Sequence, residues 1–226
     1  MNNDFNQLLS QLFQELSMTP LSPIIKHAQS KWDTIFQKAI TFYNDETLFD
    51  QFYVNEIEGS PYTSTFSYLT SYFNEDGYAL SYEWDCLLFG SDQLPVSLLQ
   101  ALIDYEQLSM EEETFVTQIR SSKLSIFEMK DIHFDEGYVI LEDIFTLSKH
   151  RVYDSLLLLD ASTQHDSHYL FTRILPVQNE WILAGFEELI DKTMIEPLKK
   201  RYSHFFFHFS FVFIHHLIRS FYSIRI

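Results

Sequence analysis

The stretch SIFEMKDIHFDEGYVILE, residues 125–142, decides the fold class of this chain. Apolar and polar residues nearly alternate over 125–132, which is the period of a β-strand that buries one face. Residues 137–142 form a second apolar run, and His133–Glu136 supplies a turn between the two runs. The stretch therefore predicts two short strands joined by a turn.

Three more runs of β type follow, at residues 151–154, 168–175 and 181–185, and no helical segment separates them. Val177 and Trp181 flank a short hairpin-like connection between the last two runs. Five short strands this close together are typical of a small barrel or a curled sheet. We predict a small five-stranded antiparallel β module over residues 122–185.

The segments on both sides of this module have helical periodicity. Ser22-Pro23 gives an N-cap followed by proline at the first helical position. Ser109 and Glu112 have the spacing of a capping box. We predict an α+β fold with a helical region over 1–121 and a C-terminal helix over 186–202. Within the helical region, we predict helices at 5–16, 24–43, 47–54 and 95–105, and a turn at 74–77 between two aromatic runs.

The composition excludes several classes of protein. The net charge of −17 disfavours a phosphate backbone as partner, so no nucleic acid is expected. Cys86 is the one cysteine, which rules out an intrachain disulfide and a multi-thiolate zinc site. The first residues lack the basic and apolar pattern of a secretory signal, and the chain has no Gly-rich phosphate loop. We expect a cytoplasmic protein without a cofactor.

The end of the chain differs chemically from the rest. Residues 199–226 read KKRYSHFFFHFSFVFIHHLIRSFYSIRI, with five Lys or Arg and neither Asp nor Glu. The apolar core of this segment, Phe205–Ile218, is shorter than the roughly 20 residues of a membrane-spanning helix. Three interpretations of the tail at 203–226 stay open: a last helix or strand packed on the body, a membrane-surface anchor, or a shifted reading frame. Membrane contact is expected only through this tail.

Two groups of side chains could bind a metal ion. His165 and His168, with Asp160 and Asp166, provide imidazole and carboxylate ligands. Their position in a loop that enters a strand favours a polar surface loop instead. The second group consists of acidic side chains that are better explained as solvated helix faces: Asp45, Glu46, Asp50, Glu56 and Glu58. No metal is therefore predicted.

Cys86 is a candidate nucleophile with His27, His133 or His150 as its base. Its place in an aromatic run favours a small core residue. The aromatic residues of the β module could form a base-stacking platform, but core packing explains them more economically because the module has no basic groove. These residues are Tyr138, Tyr153, Tyr169, Phe171 and Trp181.

The block from Leu108 to Gly185 resembles a group of uncharacterised bacterial proteins. They combine a helical N-terminal region with a small β module and often end in a SEC-C metal motif. The residues that carry the resemblance are 108–112, 125–128, 139–146, 170–177 and 181–185. The cysteines of that metal motif are absent here, so no zinc-ligand role is implied for any residue of this chain.

The sequence contains no recognisable catalytic motif, and its catalytic residues, if any, are unknown. Our leading prediction is a non-enzymatic intracellular module that binds another protein through an aromatic, acidic-rimmed surface. The alternative is a metal-dependent hydrolase or another enzyme that uses the acidic and histidine residues named above.

Overall fold

The computed structural model of the chain describes residues 22–70, 82–91, 94–154, 157–158 and 169–202. The helix predicted at 5–16, the turn at 74–77, the loop with His165 and His168, and the tail at 203–226 lie outside these residues. The described order is helices, then five strands, then a helix, so the fold is α+β as predicted.

The described helices before the strands are α1 (Pro23–Asn44), α2 (Glu46–Phe52), α3 (Thr63–Thr70), α4 (Tyr82–Phe89), α5 (Leu98–Asp104) and α6 (Met110–Ile119), with a π-helical turn at Tyr53–Ile57 after α2. The strands are β1 (Lys123–His133), β2 (Tyr138–Asp143), β3 (Lys149–Tyr153), β4 (Tyr169–Val177) and β5 (Glu180–Ile190), and α7 (Lys192–Tyr202) follows them. The described residues divide into two compact units. A barrel unit contains 22–29, 121–184 and 188–202, and a helical unit contains 30–120 and 185–187.

Side-chain caps fix the helix starts that the sequence predicted. Ser22 Oγ accepts a hydrogen bond from Ile25 N at 3.3 Å, next to Pro23 at the first helical position. Ser109 and Glu112 form the complete capping box at the start of α6. Each cap of this kind stabilises a helix by about 1 kcal/mol, because it satisfies backbone N–H groups that the helix leaves unpaired.

Aromatic rings on α1 and α4 form the core of the helical unit. Trp32 stacks on Phe89 with ring centroids 5.6 Å apart, and Tyr43 meets Trp84 edge to face at 5.5 Å. The ion pair between Lys38 and Glu112, at 2.8 Å, joins α1 to the start of α6. The helical periodicity read from the sequence of α1 thus corresponds to one buried face.

The five strands close into a barrel in the order β1-β2-β3-β5-β4. β1 pairs antiparallel with β2 and with β4, and β2 pairs antiparallel with β3. β3 and β5 run parallel, with Val152 opposite Trp181 and Tyr153 opposite Ile182. The prediction of a purely antiparallel module is therefore wrong. Directions cannot alternate all the way round a ring with an odd number of strands, so closure requires one parallel pair.

This strand order is that of the OB fold, a five-stranded Greek-key barrel. Two helical leucines between β3 and β4, Leu157 and Leu158, belong to the core inside the barrel. The other buried members of this core are Phe127, Val139, Leu141, Val152, Leu170, Ile174 and Leu183. The topology identifies the architecture and does not by itself assign a function.

The helix predicted over 186–202 begins later than the sequence suggested. β5 continues to Ile190, and α7 starts at Lys192. Asp191 separates the two elements, since its Oδ1 accepts hydrogen bonds from Thr193 N at 2.8 Å and from Thr193 Oγ1 at 2.6 Å. An aspartate N-cap at this position stops the strand and starts the helix.

Candidate functional site

The turn between β1 and β2 is tight. Gly137 has φ +76°, a left-handed conformation that glycine adopts without steric cost. Its N–H donates a hydrogen bond to the carbonyl oxygen of His133 at 2.8 Å. This tight turn places His133 directly opposite Tyr138 in the antiparallel pair.

Three side chains surround the ring of Tyr138. The imidazole of His133 stacks on it with ring centroids 4.3 Å apart and planes at 25°. The guanidinium of Arg151 lies 4.7 Å from the ring centroid, and the ring of Tyr153 lies 5.5 Å away. Burial, followed by the nearby carboxylate of Glu136, raises the pKa of Tyr138. Tyr138 is thus packed against side chains of the two neighbouring strands, β1 and β3.

Apolar side chains are exposed at this turn between β1 and β2. Ile132 is 37% exposed and Phe134 is 41% exposed. The acidic residues Asp131, Asp135 and Glu136 of the same segment are also exposed. We call residues 131–136 together with Tyr138 the hairpin surface.

The outer face of β1, β2 and β3 carries a ladder of ion pairs. Lys130 contacts Glu128 at 2.6 Å and Glu142 at 3.5 Å, and Lys149 contacts Glu142 at 3.7 Å. Lys130 reaches two carboxylates because the β1–β2 register shifts between Met129 and Asp131, which marks a β-bulge. Hydrogen bonding to Glu128 raises the pKa of Lys130.

Arg151 extends this ladder towards β5. Its Nη1 lies 3.2 Å from Glu180 Oε1. The basic residues of this face, Lys130, Lys149 and Arg151, are therefore matched by three carboxylates, those of Glu128, Glu142 and Glu180. Most of these side chains are partly exposed, so each pair contributes about 1 kcal/mol or less to stability. Their main consequence is a face without excess positive charge.

The metal candidates of the sequence are not brought together in the described part of the chain. Asp160, His165, Asp166 and His168 lie outside it. Asp45 is the N-cap of α2, where its Oδ1 accepts hydrogen bonds from Thr47 N and Leu48 N at 3.0 Å each. Glu46, Asp50, Glu56 and Glu58 are exposed, as expected for solvated helix faces. Among the described residues, no group of three or more metal-binding side chains occurs.

Cys86 is 2% exposed in α4 of the helical unit. Its three proposed histidine partners, His27, His133 and His150, belong to the barrel unit. The burial of Cys86 agrees with its interpretation as a core residue.

The aromatic residues of the β module are mainly core residues. Tyr138, Tyr169 and Phe171 are buried, while Tyr153 and Trp181 are half-buried. This is the arrangement that the core interpretation predicts. Sequence reasoning did not identify Ile132 and Phe134 as a surface. The available signal was a pair of bulky apolar residues inside a turn that is otherwise acidic.

Comparison with known proteins gives one match. No curated protein and no solved structure matches this chain. No helix in the described ranges has the length and apolar character needed to cross a membrane. The resemblance to proteins with a SEC-C motif stays a prediction. A family model matches residues 73–210, which span α4 to α7, all five strands and the first part of the aromatic tail. Because this match covers well over half of the chain, the protein belongs to that family, which is described as a family of unknown function, DUF7986.

Proposed function

We propose that this protein is an interaction module that binds another protein through the hairpin surface. The observation that carries the proposal is the exposure of Ile132 and Phe134 on a turn whose backbone is fixed by the β1–β2 ladder. Single exposed apolar residues are common on soluble proteins. Ile132 and Phe134 lie on either side of His133 in the sequence, and two exposed apolar residues on one tight turn can provide the kind of anchor that dominates binding energy at interfaces.

The rigidity of the turn favours binding. His133 and Arg151 both contact the ring of Tyr138, and the hydrogen bond from Gly137 N to His133 O closes the turn. A partner that docks here immobilises few additional side chains, so less conformational entropy is lost on binding. The hairpin surface is therefore preorganised for a partner.

The negative charge of the hairpin surface determines which kind of partner we expect it to bind. Asp131, Asp135 and Glu136 are exposed on the same short segment as Ile132 and Phe134, and the whole chain carries a net charge of −17. Carboxylates around an apolar centre favour a partner with lysine or arginine beside an apolar patch. The paired cations of the ladder support our expectation that nucleic acid is not the ligand, because phosphate binding draws on clustered, available Lys and Arg.

The test compares partners bound by the full chain and by a double variant, Ile132→Ser with Phe134→Ser. Met110→Ser is the matched control, because Met110 is 84% exposed and lies in the helical unit. Each immobilised protein is incubated with extract of its native cell, and bound proteins are quantified by mass spectrometry. We expect the full chain and the Met110→Ser control to bind the same reproducible partner, and the double variant to lose it. A further variant, Asp131→Asn with Glu136→Gln, should bind this partner more weakly at low salt. Equal recovery by all variants, or the absence of any reproducible partner, would refute the proposal.

The enzymatic alternative makes a different prediction. A metal-dependent hydrolase purified without chelators would carry stoichiometric divalent metal, and His165→Ala with His168→Ala would lose it. We expect no stoichiometric metal. A measured metal content near one per chain would replace the interaction proposal with the enzymatic one.

We further propose that the protein acts in the cytoplasm and that membrane contact occurs only through the tail. The family match includes residues 203–210, so the informative truncation removes 211–226. Sedimentation with anionic liposomes by the full chain alone would show that the tail is an anchor. Reading the genomic DNA in the other two frames tests the reading-frame interpretation, which a cysteine-rich ending would support.

A further inference from the structure

A second group of polar side chains lies at the other end of β1, around the turn between β2 and β3. Asp143 fixes this turn, since its Oδ1 accepts hydrogen bonds from Phe145 N at 2.8 Å and Thr146 N at 2.9 Å. Backbone bonds from Asp143 N to Ser148 O and from Leu147 N to Asp143 O, at 3.0 and 2.8 Å, close the turn. Ser148 is therefore held in a defined position at the start of β3.

The hydroxyl of Ser148 is the centre of this group. Ser148 Oγ lies 2.9 Å from His150 Nε2, 2.8 Å from Lys123 Nζ and 2.7 Å from Thr146 Oγ1. Lys123 Nζ lies 3.2 Å from His150 Nε2 and 3.5 Å from Asp143 Oδ2. A hydroxyl, an imidazole and an ammonium group thus meet within hydrogen-bonding distance of one another.

The surroundings of His150 keep its ring in place. The ring of Trp181 meets it edge to face at 4.8 Å, and Phe127 does so at 6.0 Å. Burial, and then the charge of Lys123, lowers the pKa of His150, while Asp143 acts in the opposite direction. In the neutral tautomer that leaves Nε2 unprotonated, His150 can accept the hydrogen bond from Ser148, as a general base does.

We propose that Ser148 is a nucleophile that accepts an acyl group from an activated carboxylic ester, with His150 as its general base and Lys123 stabilising the negative charge. The arrangement meets the geometric criterion for an activated serine: nucleophile and base lie within 2.6–3.2 Å, and other groups orient the base. This inference goes beyond the proposed protein-binding function and concerns the opposite end of β1.

The reaction follows the usual course of acyl transfer. Ser148 Oγ attacks the carbonyl carbon, and the hydroxyl proton moves to His150 Nε2. Lys123 stabilises the oxyanion, the bond from carbon to the leaving alkoxide breaks, and His150 returns the proton to that alkoxide. Water then attacks the acyl carbon while His150 takes its proton, the bond from that carbon to Ser148 Oγ breaks, and His150 passes the proton to Ser148 Oγ, which releases the carboxylic acid and restores both residues.

Access to solvent distinguishes Ser148 from a serine used only in packing. Ser148 is half-buried, Thr146 beside it is exposed, and the Lys123 side chain is 30% exposed. A purely structural network predicts that loss of Ser148 changes stability and nothing else. An activated nucleophile predicts covalent labelling by a reagent that reacts with nucleophilic serines.

The test uses the full chain and a fluorophosphonate probe, with the labelled residue identified by peptide mass spectrometry. We expect about one label per folded chain, located on Ser148 and absent from Ser148→Ala. Ser30→Ala, which removes an exposed serine in α1, is the matched control and should label as the parent does. His150→Gln should slow labelling about 100-fold or more, because general-base assistance contributes about that much.

The labelling rate should also rise with pH as His150 loses its proton, with a midpoint below the ordinary histidine value of 6.5. Thermal melts of each variant show that loss of labelling is not loss of folding. A folded parent that does not label, a label on another residue, or an undiminished rate in His150→Gln would each overturn the proposal. Turnover of p-nitrophenyl acetate that depends on Ser148 would also replace the non-enzymatic part of our leading prediction.

Discussion

The two ends of β1 differ in which side chains are exposed and which are buried. At the hairpin surface, apolar side chains such as Phe134 are exposed, and so are the acidic residues beside them in the sequence. At the β2–β3 turn, Asp143 and His150 are buried, and each is bonded to neighbouring groups, Asp143 to the turn backbone and His150 to Ser148. Removing the exposed apolar side chains should therefore change the free energy of unfolding little. Removing one of the buried polar groups should lower it, because the partner left behind would be buried without a hydrogen bond.

The largest expected effect is therefore that of Asp143→Ala. Its removal leaves two backbone N–H groups and Lys123 without their carboxylate partner. We expect the free energy of unfolding to fall by about 2–3 kcal/mol. Urea unfolding measures this loss, and Asp135→Ala on the hairpin surface, with an expected change within about 0.5 kcal/mol, is the control. Equal losses in the two variants would contradict the comparison.

The two turns also differ at a residue with positive φ. The hairpin turn has Gly137 at φ +76°, while the β2–β3 turn has Leu147 at φ +59°. Gly137→Ala should destabilise the protein by about 1 kcal/mol, because a side chain is strained in that conformation. Leu147→Gly should change stability in the opposite direction or not at all, since it relieves the same strain. The denaturant midpoints of the two variants, compared with that of the parent, measure these changes in stability. A stabilising effect of Gly137→Ala would show that the hairpin turn does not constrain the backbone.

The buried end should also respond to pH. The pKa of His150 is lower in the folded protein than its ordinary value of 6.5, so the unfolded chain binds this proton more readily. The free energy of unfolding contributed by His150 should be complete above about pH 6.5 and decrease as the pH falls through 6.5 towards the folded pKa. Thermal melts between pH 7.5 and 5 measure the decrease at roughly half-unit intervals. His150→Gln should remove this component, whereas the hairpin variant His133→Gln should keep it.

The smallest effect on stability is expected from Phe134→Ser. Phe134 is 41% exposed, so its loss should change the free energy of unfolding by about 0.5 kcal/mol or less. The same substitution should abolish binding of the partner proposed above. A substantial loss of stability, measured by urea unfolding, would show that Phe134 belongs to the core and that the two ends of β1 do not differ as described.

Much of the fold could be predicted from the sequence because it depends on local patterns. Ser22-Pro23 and the Ser109–Glu112 capping box predicted two helix starts, and near-alternation together with short runs of β type predicted all five strands. The parallel β3–β5 pair could not be predicted, because pairing between distant strands leaves no local pattern. The late start of α7 depended on Asp191, whose capping role competes with a strand that extends to Ile190.

The candidate sites were less accessible to sequence reasoning. The sequence predicted a binding surface without locating it, and the hairpin surface that we propose for it depends on the turn geometry at Gly137. His150 was considered only as a partner of Cys86. Its contact with Lys123 joins residues 27 positions apart in sequence, which lie on β1 and β3, the two neighbours of β2.

The parallel pair between β3 and β5 has a consequence for aggregation. Every strand of the closed barrel has a neighbour on both sides, so the intact barrel offers no free edge to another chain. The described register of β3 and β5 contains only two residue pairs, whereas β1 and β2 share six. Opening at this short seam would expose two unpaired strand edges at once while the remaining pairs stay formed. The rate at which the barrel opens along β3 and β5 should therefore govern self-association under mild stress, before the molecule unfolds as a whole.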